Sequence, residues 1–192
     1  MNAIRTFIAI ELPPQVQQNL GGVISRLKGP QTSIVRWVAA HNIHLTLKFL
    51  GDVSPANMDH LQKILQAQVS QQPRFAFTVE GMGAFPSLHR PRVIWAGISA
   101  PPQLAALAHV IDFETVRLGY PSEDRPFSPH LTFGRLAQHA TPEQVHLVAD
   151  ILAESMVGKL GSVEVTEVTL FKSDLQPGGA VYSPLLKIGL RL

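Results

Sequence analysis

The sequence predicts an α+β fold of two pseudo-symmetric lobes, with mainly antiparallel sheets flanked by helices and a central active-site groove. Three observations predict it. Two segments are close copies, His44-Leu45-Thr46-Leu47-Lys48-Phe49 and His130-Leu131-Thr132-Phe133-Gly134-Arg135. The elements around them repeat in order: strand, helix, histidine strand, helix, strand. The spacing repeats too, since the histidines lie 86 positions apart and the residues in the two opening strands, Thr6 and Val93, lie 87 apart. We therefore expect a single bilobal domain over 1–192, an internal duplication with approximate halves 1–85 and 90–192, intertwined because no linker separates them.

Each element has its own justification. Ile4 to Ile10 reads as a strand, and Pro13-Pro14, with φ preset for a first helical turn, opens a helix to about Lys28 that Gly29-Pro30 ends. Ile34 to Val38 is a short β-branched run. In the first histidine strand the period of two puts His44, Thr46 and Lys48 outward and turns Ile43, Leu45, Leu47 and Phe49 toward a core; Gly51-Asp52 reads as a turn. Ser54 caps and Pro55 opens a helix on which Met58, Leu61 and Leu65 recur at helical spacing to about Val69. Arg74 to Glu80 alternates as a strand, Gly81 to Arg92 reads as a glycine- and proline-bearing loop, and Val93 to Ile98 as the next strand. Leu104, Leu107, Ile111 and Leu118 mark a helix. The second histidine strand buries Leu131 and Phe133 opposite His130 and Thr132. Thr141-Pro142 then caps a helix with Val145, Val148, Ala149 and Leu152 on one face. Val163 to Leu170 and Tyr182 to Leu190 close the chain as two strands joined around Pro177-Gly178-Gly179.

Composition narrows the function classes. With 192 residues, 45% of them hydrophobic, the chain can bury a proper core. Sixteen Lys and Arg against fourteen Asp and Glu leave a net charge of only +2, which favours a small anionic or terminal-phosphate ligand in a local basic cleft over wrapping of a long duplex. The absence of cysteine excludes disulfides, thiolate nucleophiles and cysteine-ligated metal centres, and is compatible with the cytoplasm, where we expect the protein. No signal-like start and no apolar run near the roughly 18 residues of a membrane span are present, so no membrane partner is expected.

A single histidine on an alternating strand is most often a polar residue on a wet face. Its repetition, each time with a threonine two residues on and a cation shortly after, is what points to chemistry. One protonated and one neutral imidazole form a general acid and base near neutral pH, and threonine hydroxyls with nearby cations suit a phosphate. A metal site is not expected: His41 and His44, three apart on extended chain, face opposite ways, and no helical His-x-x-x-His pair supplies further ligands. His60, His89, His109, His139 and His146 read as structural. There is no Gly-x-Ser-x-Gly elbow and no phosphate-binding Gly-x-x-x-x-Gly-Lys run; Gly81-Met82-Gly83 reads as a turn and Lys172 as solvated or near the cleft.

Around the paired motifs lie Arg5-Thr6-Phe7-Ile8-Ala9-Ile10 with Leu12-Pro13, Val35-Arg36-Trp37-Val38, Phe49-Leu50-Gly51, Gly83-Ala84-Phe85-Pro86, Arg125-Pro126-Phe127 and Leu170-Phe171-Lys172-Ser173 with Gly178 and Tyr182. On these residues nearly the whole chain resembles the 2H phosphoesterases, and more narrowly the bacterial and archaeal RNA 2′,3′-cyclic phosphodiesterases, also described as 2′-5′ RNA ligases. Phe171 departs from the family pattern, which has a Tyr-like residue there. The resemblance implies hydrolysis of a terminal ribose 2′,3′-cyclic phosphate to a 2′-phosphate without metal or other cofactor, and a weak ATP-independent ligation in reverse. It implies His44 as the acid protonating the leaving 3′ oxygen and His130 as the base activating water. Thr46 and Thr132 would then hydrogen-bond the phosphate, and Arg135 would add charge.

The partner expected is RNA with a cyclic-phosphate end, bound by a monomer. Phe7 is expected to stack on the terminal base, Trp37 to support or line the same groove, and Arg5, Arg36, Lys48 and Arg125 to contact phosphate or sugar. Two other readings stay open: a 2H phosphodiesterase acting on a small cyclic or 2′-5′ nucleotide, and a noncatalytic RNA-end binding module.

Overall fold

A computed structural model describes residues 3–122, 126–177 and 179–192. Along it run β1 (Ile4–Glu11), α1 (Pro14–Leu27), β2 (Val35–Trp37), β3 (His44–Val53), α2 (Pro55–Val69), β4 (Phe75–Ser87), β5 (Arg90–Ser99), α3 (Pro102–Val116), β6 (His130–Leu136), α4 (Pro142–Glu154), β7 (Lys159–Val165), β8 (Glu167–Gln176) and β9 (Gly179–Gly189). Each of the four helices opens on proline, whose missing N–H is no loss at a first turn. Thr141 also caps α4 through its side chain, which accepts a hydrogen bond from the Gln144 backbone N–H, whereas Ser54 makes no such bond. The helices bury one stripe each, Val16, Leu20, Val23, Ile24 and Leu27 on α1 and Met58, Leu61, Leu65 and Val69 on α2.

The strands form two antiparallel sheets, ordered β3-β1-β8-β9 and β2-β6-β5-β4-β7, over one continuous hydrophobic core. Their register repeats at a constant offset of 86. Phe7, Ala9 and Glu11 of β1 stand opposite Phe49, Thr46 and His44 of β3; Val93, Trp95 and Gly97 of β5 stand opposite Arg135, Thr132 and His130 of β6. The same offset relates Phe171 of β8, paired with Phe7, to Phe85 of β4, paired with Val93. The strand that closes each half thus lies in the other half's sheet.

Three expectations are corrected. The stretch Gly81 to Arg92 is not a loop: β4 runs to Ser87 and β5 begins at Arg90, so the pair is a long hairpin. Gly83 serves strand packing, since a Cβ there would lie 2.3 Å from the Trp95 ring folded across it. Gly51-Asp52 does not end β3 but continues it, with Gly51 at a positive φ of 68° that a side chain would oppose. The run Val163 to Leu170 is two strands, because at Thr166 the chain leaves the five-stranded sheet and enters the four-stranded one.

The largest correction concerns alternation in β3. Ala9 pairs with Thr46 but Ile8 pairs with Lys48, so Leu47 is an extra residue, a β-bulge. Leu47 and Lys48 therefore both turn inward and Phe49 turns out: Lys48 is 2% exposed and Phe49 54% exposed. Lys48 Nζ is neutralised by Asp112 of α3 and also donates to the Pro121 carbonyl oxygen. It takes no part in the cavity. The second lobe has the same bulge at Phe133, where Ile94 pairs with Gly134 and Trp95 with Thr132. There the inward position holds Gly134, over which Val35 and Trp37 pack at 3.0 and 3.1 Å from where a Cβ would stand, and the outward position holds Arg135.

Candidate active site

His44 and Thr46 of β3 and His130 and Thr132 of β6 open onto one cavity of about 360 Å³. The duplicated bulge delivers Phe49 and Arg135 to it from equivalent positions. Arg5 reaches it from β1, and Ser173, Leu175, Ala180 and Tyr182 form a wall from the β8–β9 hairpin. The Asn42 amide donates to the Ala180 carbonyl oxygen at 3.2 Å, tying this wall to the turn before His44.

The two imidazoles are oriented alike. His44 Nδ1 lies 2.8 Å from the Asn42 carbonyl oxygen and His130 Nδ1 lies 2.7 Å from that of Ser128, the residue 86 positions on. A carbonyl only accepts, so each Nδ1 carries the proton and each Nε2 is left to take up or release one. His44 is wedged among aromatic rings: Phe7 stacks on it at 4.7 Å and 27°, and Tyr182 meets it edge-on at 5.1 Å. Phe85 meets His130 edge-on at 4.9 Å. Burial holds the His44 pKa below the ordinary histidine value, against the opposing pull of the Asn42 carbonyl and the Glu11 carboxylate.

Phe7 borders the cavity without an open ring face toward it. It is 2% exposed, and its faces are taken by His44 and by Phe171 at 5.2 Å. Its place under His44 makes it a support for that ring. Phe7→Leu, which keeps the bulk and removes the planar face, is expected to lower kcat up to about tenfold, since such ring pairs contribute ~0.5–1.5 kcal/mol, with KM little changed. A raised KM at unchanged kcat would return Phe7 to direct ligand contact.

Trp37 lies behind the site, its ring stacked on Phe133 at 6.2 Å, and its neighbour Val38 lines the cavity instead. Arg36 stands opposite Arg135 in register and is exposed, its guanidinium near Gly179 at the start of β9. Arg125 lies outside the described residues. Lys172 pairs with Asp174 at 3.0 Å. Among the described residues no group of three or more His, Asp or Glu is placed to hold a metal ion, and no helix is long and apolar enough to cross a membrane. Sequence reasoning missed Phe49, assigned to the core by alternation, because nothing in the residue pattern announces a bulge.

The chain is similar to known proteins over nearly its whole length. A family model described as LigT like phosphoesterase matches the chain twice, over 10–95 and 97–182. The RNA 2′,3′-cyclic phosphodiesterase of Methanothermobacter thermautotrophicus is 30% identical over 182 residues, 95% of this chain and 96% of that protein. That of Escherichia coli (strain K12) is 33% identical over 187 residues, 97% of this chain and 96% of that protein. The crystal structure of E. coli LigT complexed with 3′-AMP is 30% identical, with a TM-score of 0.79 over 98% of both chains.

Proposed function

Because the chain belongs to the LigT-like phosphoesterase family, we propose that it hydrolyses the 2′,3′-cyclic phosphate at an RNA end to a 2′-phosphate by acid–base catalysis between His130 and His44. The observation that carries this reading is the pair of histidines on one cavity, each with Nδ1 bound to a carbonyl and Nε2 left for proton transfer. His130 Nε2 takes a proton from the attacking water as its oxygen bonds phosphorus. The P–O3′ bond breaks in line, and His44 Nε2 gives its proton to the departing 3′ oxygen. Exchange with solvent then restores both rings.

Thr46 and Thr132 donate to the nonbridging oxygens, and Arg135 offsets their charge as the phosphorane-like transition state forms. Phe49 and Tyr182 give the ribose and base an apolar wall, and Arg5 and Arg36 meet phosphates further along the strand. No step calls for a metal ion, and the same displacement with a 5′-hydroxyl attacking phosphorus in place of water, O3′ again leaving with the proton from His44, gives weak ATP-independent 2′-5′ ligation.

A small nucleotide is the second substrate reading, supported by a cavity that accommodates about one nucleotide and by the E. coli LigT complexes with 3′-AMP, NADP+ and ATP. The test is incubation of a short RNA ending in a 2′,3′-cyclic phosphate with the protein in EDTA, with the phosphate of the product located by NMR. A 2′-phosphate is expected at undiminished rate. A 3′-phosphate or loss of turnover in EDTA would overturn the mechanism, and turnover of the cyclic mononucleotide alone would establish the second reading.

A further inference from the structure

The lobes differ at the residue facing each histidine. Glu11 of β1 is the cross-strand partner of His44; its equivalent, Gly97 of β5, is the partner of His130. Directly opposed residues of an antiparallel pair project to one face with Cβ atoms about 4.5–5.5 Å apart, so Glu11 brings a carboxylate beside His44 where His130 meets bare backbone. Sterics keep it bare, since a Cβ on Gly97 would lie 2.6 Å from the Glu80 carbonyl oxygen.

Glu11 is also braced. Its Oε1 accepts a hydrogen bond from Thr169 Oγ1 at 2.9 Å and pairs with Lys187 Nζ at 3.0 Å, and Lys187 is held in turn by Glu167 at 2.9 Å. Thr169 is 1% exposed, so its hydroxyl is committed to this carboxylate. Its equivalent 86 positions earlier is Gly83, which has no hydroxyl to give. The second lobe therefore lacks both the carboxylate and its support.

The motifs themselves do not distinguish the rings, because both Nδ1 atoms donate to carbonyls in the same way. We infer that Glu11, braced by Thr169 and Lys187, is a positioning residue that favours the protonated form of His44, and that this asymmetry between the lobes suits His44 to the donor role and His130 to the acceptor role. The inference rests on the proposed hydrolysis. The other charged or titratable groups around His44 are Tyr182, edge-on from β9, Arg5 on β1, and His130 and Arg135 from β6 across the cavity; Lys187 stands behind Glu11. The cations among them oppose an imidazolium, as does burial, which prevails; among the described residues Glu11 is the carboxylate that works against this lowering.

The experiment is NMR titration of the His44 and His130 ring protons in the ligand-free protein, wild type against Glu11→Gln, alongside kcat/KM from pH 5 to 9. Glutamine keeps an acceptor for Thr169 and removes the charge. The His44 midpoint is expected to fall by roughly half to one unit while His130 titrates as before, with kcat/KM about 3- to 10-fold lower at pH 8 and unchanged at pH 5. Glu11→Asp, charged on a shorter arm, is expected to keep most of the wild-type midpoint. An unmoved His44 midpoint, or an equal loss at every pH, overturns the inference. If wild type turns over no cyclic phosphate, the functional reading fails separately, while the titration still decides what Glu11 does.

Discussion

His130→Ala and His44→Ala are each expected to lower kcat/KM for a cyclic-phosphate RNA end by about 10²–10⁴-fold, the range a positioned acid or base supplies. Both side chains are half-buried at the first position of their strands, and the residues that follow hold the strands in register, so the folded state should survive truncation. The double variant is expected to lose little more than either single one, because water attack and leaving-group protonation belong to one in-line displacement. Single-turnover kinetics on the purified proteins checks this. A single variant within about threefold of wild type would remove that histidine from the chemistry, and multiplied losses in the double variant would mean the two act in separate steps.

Asp112→Ala is expected to be the most destabilising exchange outside the core, by about 3–5 kcal/mol in urea unfolding. The reason is the asymmetry of the pair: the Lys48 side chain is 1% exposed and the Asp112 side chain 32%. Removing the carboxylate strands a buried ammonium with only the Pro121 carbonyl oxygen, whereas Lys48→Met leaves a carboxylate that water reaches. Lys48→Met should therefore stay within about 1 kcal/mol of wild type, and the reverse order of the two variants would show that the ammonium is hydrated. Burial works against the Asp112 carboxylate, but the bonds from Lys48 and Ser122 prevail and hold its pKa below the ordinary value of 3.8. With the folded pKa depressed, this stabilisation is present above pH 3.8 and is lost as the pH falls through the lower folded value.

These two sites mark how much could be read beforehand. The histidines and threonines were legible because a two-residue period survives over His44–Thr46 and over His130–Thr132, each stretch lying before its bulge. Beyond it the pattern inverts, so Lys48 reads as a surface cation and Phe49 as core, when packing makes them the opposite. The starts of three helices, at Pro14, Pro55 and Pro142, were legible because proline acts locally. Gly83 and Gly97 were not, since their reasons lie on neighbouring strands, in the Trp95 ring and the Glu80 carbonyl. The packing of Phe7 was hidden for a related cause: that its two faces are taken by His44 and Phe171 depends on three strands meeting.

The passage at Thr166 has a mechanical consequence. One residue there separates β7 of the five-stranded sheet from β8 of the four-stranded one, and the short stretch 38–43 joins β2 of the former to β3 of the latter. Tethers this short leave no slack for the sheets to swing apart as jaws. The gap between the two imidazoles is accordingly a fixed gauge, set when the chain folds, and a ligand must be cut to that gauge before it arrives.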